Sequence, residues 1–141
     1  MSKFSAFMAQ NVAKLENKKV VISDRFKDEN GNPIPWEIRA ITSEEADELM
    51  RRSMVQVPVA GRRGQFTREM DQIKYTSLLL TASVVYPALD DAELQDSYGV
   101  KTPEELLKKM LYPREENKLA EEVMNFSNIS NLGELTEEAK N

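Results

Sequence analysis

Residues 75–89 (YTSLLLTASVVYPAL) form the longest uncharged run in the chain, and a run of that kind restricts the fold more than any other stretch. Fifteen such residues in a sequence that is 30% charged belong inside a core. The run is too short for a membrane span, which needs roughly 18–20 apolar residues. It also carries Thr76, Ser77, Thr81, Ser83 and Pro87. A helix is therefore expected from about Glu69 to Tyr86. On a wheel of about 100° per residue, Met70, Ile73, Leu80 and Val84 fall on one side. Tyr75, Leu78, Leu79, Ala82, Val85 and Tyr86 fall broadly opposite. Two apolar faces predict a helix buried between layers, with Pro87 as its end.

Short helical units surround it. Asp90 is placed to cap the turn ALDDAELQDSYGV, with Glu93 in the box position and Gly99 as the stop. Thr102, Pro103 and Glu105 supply N-cap, N1 proline and N3 glutamate for a further helix, whose buried stripe is Leu106, Leu107, Met110 and Leu111. Pro113 opens a last helix to about Phe126. Upstream, Thr42 and Glu45 form a capping box for a helix that turns Ala46, Leu49 and Met50 inward. Asp90, Asp91, Asp96, Glu104 and Glu105 fall at caps and first turns, where carboxylates serve the helix termini, so an acid/base pair is not indicated.

Two stretches read as β-structure. Residues 18–26 and 35–41 flank DENGNP, whose Asn-Gly pair tolerates the positive φ of a hairpin turn. That hairpin turns Trp36 and Ile38 to the core and Glu37 and Arg39 to solvent. Residues 55–66 (VQVPVAGRRGQF) alternate Val55, Val57 and Val59 before a Gly-Arg-Arg-Gly turn, a β-ribbon or mobile loop. GRRG lacks the phosphate-loop pattern. Arg62 and Arg63 at this tip suit either a solvated loop tip or contact with an acidic protein surface. Nucleic acid is not expected, because the chain is acidic overall (net −5) and few aromatics lie beside the arginines.

At the start of the chain, Phe4, Phe7, Met8, Val12 and Leu15 follow helical spacing, predicting an amphipathic helix over 3–15 that docks on its own domain or on another subunit. MSKFSAFMAQNVAK lacks the apolar core of a signal peptide. The final residues retain Ile129, Leu132 and Leu135 at a spacing of three from Phe126, a candidate docking segment in a polar tail. The expected organisation is a globular unit over 1–126, its first helix able to detach, followed by a flexible acidic tail over 127–141. The fold class is α+β and mainly helical: an N-terminal helix, a small antiparallel hairpin or sheet, and four to five helices around the central one.

Composition narrows the chemistry. With no Cys and no His, thiol nucleophiles, disulfides, Cys/His zinc sites and an imidazole base are all excluded. No cofactor or metal is expected, and the chain reads as a soluble non-enzyme. Charge is segregated as well. Residues 51–74 carry six basic against two acidic side chains, whereas residues 114–141 carry three against seven. The two regions either attract each other or face different partners.

Four stretches carry a resemblance to a known family: VVISDRFKDENGNPIPWEIRAIT, DQIKYTSLLLTASVVYPALDDAELQDSYGV, TPEELLKKMLYPREENKLAEEV and the N-terminal segment. Together they resemble the XkdN-like tail assembly chaperones of tailed phages and prophages, and the run from Tyr86 to Val100 is the most specific part. The resemblance implies a host-cytoplasmic protein that binds the tape measure protein, keeps it soluble and helps recruit tail tube protein. It implies absence from the finished virion, and often a frameshift-extended second form. The alternative is a minor structural protein of the tail or baseplate. Homo-oligomers are compatible with either. The candidate protein-binding residues are Phe4, Phe7, Met8, Val12, Arg62, Arg63, Ile129, Leu132 and Leu135. If Ala139-Lys140-Asn141 is encoded GCA-AAA-AAC, it contains the slippery heptamer A-AAA-AAC, and a −1 extension is expected there.

Overall fold

The structure, a computed structural model, describes residues 3–127. It is α+β. Among the described residues the order is β1 (Lys18–Val20), β2 (Trp36–Ile38), α1 (Ser43–Arg52), β3 (Met54–Pro58), β4 (Phe66–Met70), α2 (Gln72–Ser83), β5 (Val84–Tyr86), α3 (Ala92–Ser97), α4 (Pro103–Met110) and α5 (Pro113–Ser127). A three-stranded antiparallel sheet has the order β1-β2-β5, and β3 and β4 form a separate two-stranded ribbon.

The hairpin forms around Asp28, whose Oδ1 accepts the N–H groups of Asn30 and Asn32, both at 2.9 Å. Gly31 takes φ +81°, the left-handed conformation for which the Asn-Gly pair was read. The paired strands are shorter than expected. Only Lys18↔Ile38, Lys19↔Glu37 and Val20↔Trp36 are in register, and a single bridge joins Lys27 to Pro33. Residues 21–26 bulge out between them, and Ile22 and Ser23 are buried there. Trp36 and Ile38 are buried as expected, with Phe26 tilted against the indole at 5.9 Å between centroids.

The central helix is buried but shorter than predicted at both ends. At its start Asp71 is the N-cap, its carboxylate accepting the Lys74 N–H, so Glu69 and Met70 lie in β4 instead. At its end the β-branched Val84 and Val85 leave the helix for β5, where Val84 pairs with Ile38 and Tyr86 with Glu37 across an irregularity in register. Leu78, Leu79 and Leu80 are all buried although consecutive residues point about 100° apart, so packing surrounds the helix. Its neighbours are α1, α4 and α5. Ile73, expected on a buried face, is exposed in the first turn.

Caps fix the remaining helices. Thr42 and Glu45 complete the expected capping box, and Thr102 caps α4 with Pro103 behind it. The cap of α3 is Asp91 rather than Asp90: its Oδ1 accepts the Leu94 N–H at 2.8 Å. Gly99, at φ +70°, ends that helix in a Schellman arrangement, with Val100 N–H donating to Gln95 C=O and Gly99 N–H to Asp96 C=O. α5 reaches Ser127, whose hydroxyl accepts the Ile41 N–H at 2.8 Å.

The predicted helix over 3–15 does not form. A 3₁₀ turn at Ser5–Phe7 is the regular structure within it. The Asn11 side chain donates to the Ser5 carbonyl at 2.8 Å, offering the backbone a turn in place of helix. Helices shorter than about 12–15 residues are marginal in water without tertiary burial, and this segment is exposed.

Candidate functional site

Two ion-pair latches close the body and leave its surfaces defined. Arg25, in the bulged loop, donates through Nε and Nη2 to the Glu115 carboxylate at 2.9 and 2.5 Å, and through Nη2 to the Met110 carbonyl at 2.7 Å. Its guanidinium also lies over the rings of Phe26 and Tyr112. Glu115 turns back to accept the Tyr112 N–H at the start of α5. The second latch joins Arg39 to Glu45 by two hydrogen bonds of 3.0 and 2.5 Å. In each case the facing guanidinium holds the carboxyl well below the ordinary range, at about 2. Both latches are structural: each carboxylate is occupied by its arginine and a helix N-terminus.

The predicted binding residues fall into separate places. Phe4, Phe7, Met8 and Val12 share the N-terminal arm. Phe7 is 80% exposed, Leu15 70% and Val12 50%. The arm presents its apolar side chains to solvent without the helix that was expected to align them. Arg62 and Arg63 sit at the tip of the β3–β4 ribbon, between Gly61 and Gly64, which both take positive φ. The turn is closed by Val59 N–H to Gln65 C=O and Arg62 N–H to Val59 C=O. Ile129, Leu132 and Leu135 lie outside the described residues, as does all of the expected 127–141 tail except Ser127, which ends α5.

Sequence reasoning missed one surface and half of another. Val85 and Tyr86 are exposed on β5, and with Lys19, Ile34, Pro35 and Glu37 they line an open cleft of about 480 Å³ across the small sheet. Both had been assigned to the central helix, so their place beside β2 was not readable from helical periodicity. The ribbon expected over 55–66 extends further, because Phe66, 59% exposed, opens a second strand that runs to Met70. The fivefold pairing from Met54↔Met70 to Pro58↔Phe66 was signalled only weakly, because Phe-Thr-Arg-Glu-Met has little apolar alternation.

Among the described residues, no three acidic, histidine or cysteine side chains are grouped to hold a metal ion, and no helix is long and apolar enough to cross a membrane. Asp91 and Glu105 take part in N-terminal caps, the first through its carboxylate and the second through its backbone N–H to Thr102.

Fold and surface together define a small α+β protein with an exposed apolar N-terminal arm and an exposed β-ribbon. Residues 4–140 match the family described as phage XkdN-like tail assembly chaperone protein, and the chain belongs to that family. Two relatives from Bacillus subtilis (strain 168) are each 34% identical over 97% of this chain. One is the phage-like element PBSX protein XkdN, of which 93% is covered; the other is the uncharacterized protein YqbN, of which 92% is covered. The fold is similar to a crystal structure of the protein YqbN, with a TM-score of 0.76 and 24% identity, over 92% of this chain and 99% of the other.

Proposed function

We propose that this tail assembly chaperone binds the tape measure protein, keeps it soluble before the tube closes around it, and helps recruit tail tube subunits. The observation that supports the reading is the exposure of Phe7, Val12 and Leu15 on the N-terminal arm of a member of this family, with no α-helix aligning them. A long client with apolar stripes along its helices needs a partner that covers those stripes, and an arm able to fold as a helix against them does this. Ordering the arm on binding costs conformational entropy, which favours a contact that can be released when tube subunits arrive.

Such a protein works in the host cytoplasm and leaves before the virion is complete. Co-expression tests the reading: the tape measure protein, insoluble alone, becomes soluble and co-purifies with the chaperone. A client that stays insoluble sinks the proposal. Abundant chain in purified virions, read by mass spectrometry, would favour a structural tail or baseplate component instead. The −1 extension is read from the gene, where a codon for Ala139 not ending in A, or AAG at Lys140, removes the proposed slip site.

A further inference from the structure

The β3–β4 ribbon concentrates positive charge that no described side chain pairs. Residues 49–68 contain five arginines and no Asp or Glu. Arg51 is engaged by Glu48 within α1, but Arg62, Arg63 and Arg68 take part in no ion pair among the described residues. Residues 60–69 are exposed without interruption. Strand alternation puts Phe66 and Arg68 on one face, opposite Pro58 and Gln56, and turns Glu69 to the other. The acidic side chains of α1 and α5 do not serve the ribbon either: Glu45, Glu115, Glu116 and Glu122 are engaged by Arg39, Arg25, Lys108 and Lys18.

A segment of opposite charge starts at a fixed point. Residues 128–139 contain Glu134, Glu137 and Glu138 and no Lys or Arg, with Leu132 and Leu135 among them. They follow Ser127, whose hydroxyl accepts the Ile41 N–H at 2.8 Å, beside Thr42, the N-cap of α1. From there the 10 residues of α1 rise about 15 Å to the root of the ribbon. Arg68 stands two residues along β4 from Met70, ~7 Å further, and the Arg62–Arg63 tip is roughly 23 Å beyond the root. Counted along these elements, the arginines lie from about 22 to about 38 Å from Ser127. At roughly 3.3–3.6 Å per extended residue, Glu134 reaches about 23–25 Å and Glu138 about 36–40 Å. The two ranges coincide.

We infer that the β3–β4 ribbon is the docking site of the acidic segment 134–138 of the same chain, with its carboxylates on Arg62, Arg63 and Arg68 and Leu135 against Phe66. A single exposed ion pair contributes little. Covalent linkage supplies what the pairs lack, because a short connection gives an effective concentration on the order of mM. Salt screens the contact over about 8–10 Å. While it holds, the ribbon is covered, and an acidic partner reaches the arginines only by displacing the chain's own glutamates. The contact is independent of which client the arm binds.

Nuclear magnetic resonance on the full chain without client tests it. The chain contains no Cys, so Thr136→Cys carries a single nitroxide, and paramagnetic broadening of amide signals reads what that position approaches. At low ionic strength the signals of residues 62–68 broaden, and at high salt they recover. R62E/R63E/R68E abolishes the broadening. Adding E134K/E137K/E138K to it restores the broadening, because both charges are then reversed. Isotope-labelled wild type mixed with spin-labelled chain of natural isotopic abundance shows none, since the contact lies within one chain. Ribbon signals that stay sharp in the wild type at low salt overturn the inference. So does broadening that survives R62E/R63E/R68E, a double reversal that stays sharp, or broadening in the mixture, which would place the segment on a second copy. Should the ribbon variant fail to fold by circular dichroism, E134Q/E137Q/E138Q beside the unaltered ribbon carries the test: broadening is lost if the inference holds and kept if it fails.

Discussion

Arg25 and Glu115 meet through two hydrogen bonds although 90 residues separate them in the sequence. Their pairing fastens the bulged loop after β1 to the first turn of α5, and the Arg39–Glu45 pair similarly fastens the end of β2 to the start of α1.

Acid should loosen both latches. The folded pKa of Glu45 and Glu115 is about 2, below the ordinary carboxylate value of 4.5. The unfolded state therefore binds protons first, and the stabilisation is complete above pH 4.5 and lost as pH falls from there toward 2. Denaturant midpoints measured across that range should fall for the wild type. Glu115→Gln should start lower at pH 7 and show a shallower acid limb. An unchanged limb in Glu115→Gln would mean that the pair contributes nothing to acid stability.

The cap of α3 is tested by two neighbouring aspartates. Asp91→Ala removes the acceptor of the Leu94 N–H and should cost about 1 kcal/mol. Asp90→Ala, exposed and without a cap hydrogen bond, should lie within about 0.5 kcal/mol of wild type. Urea unfolding of the pair of variants distinguishes the positions, and equal effects would contradict the assignment.

Ser83 ends α2 with its side chain buried, and its hydroxyl donates to the Arg39 carbonyl at 2.7 Å while the Arg39 N–H donates to the Ser83 carbonyl at 2.9 Å. Ser83→Ala leaves the Arg39 carbonyl without that donor at the helix-to-sheet junction. A loss of about 1–3 kcal/mol in unfolding free energy is expected. A neutral result would place the junction's stability in the apolar contacts alone.

Local signals made most of the helices legible. Thr42 with Glu45, Thr102 with Pro103 and Glu105, and Gly99 act within one turn, so their spacing in the sequence is their spacing in space. The Asn-Gly turn is local in the same way. The central helix was misread at its ends because Met70 and Val84 fit the helical wheel, while their actual partners, Met54 and Ile38, are contributed by distant strands. Tertiary pairing overrode periodicity there. The arm erred in the opposite direction: its stripe has helical spacing, but no described surface buries it. Arg25–Glu115 left no trace in the sequence, since any of several arginines would have served. Of the candidate binding residues, the structure describes six and leaves the three in the tail outside it.

The central claim is that the N-terminal arm holds the tape measure protein, and a triple variant of the arm tests it most directly. Phe7→Ser, Val12→Ser and Leu15→Ser alter exposed side chains, so the urea midpoint of F7S/V12S/L15S should match that of the wild type. On co-expression with the tape measure protein, the wild type should bring the client into the soluble fraction, and the variant should leave it in the pellet. A folded variant that solubilises and co-purifies the client as well as the wild type would contradict the account.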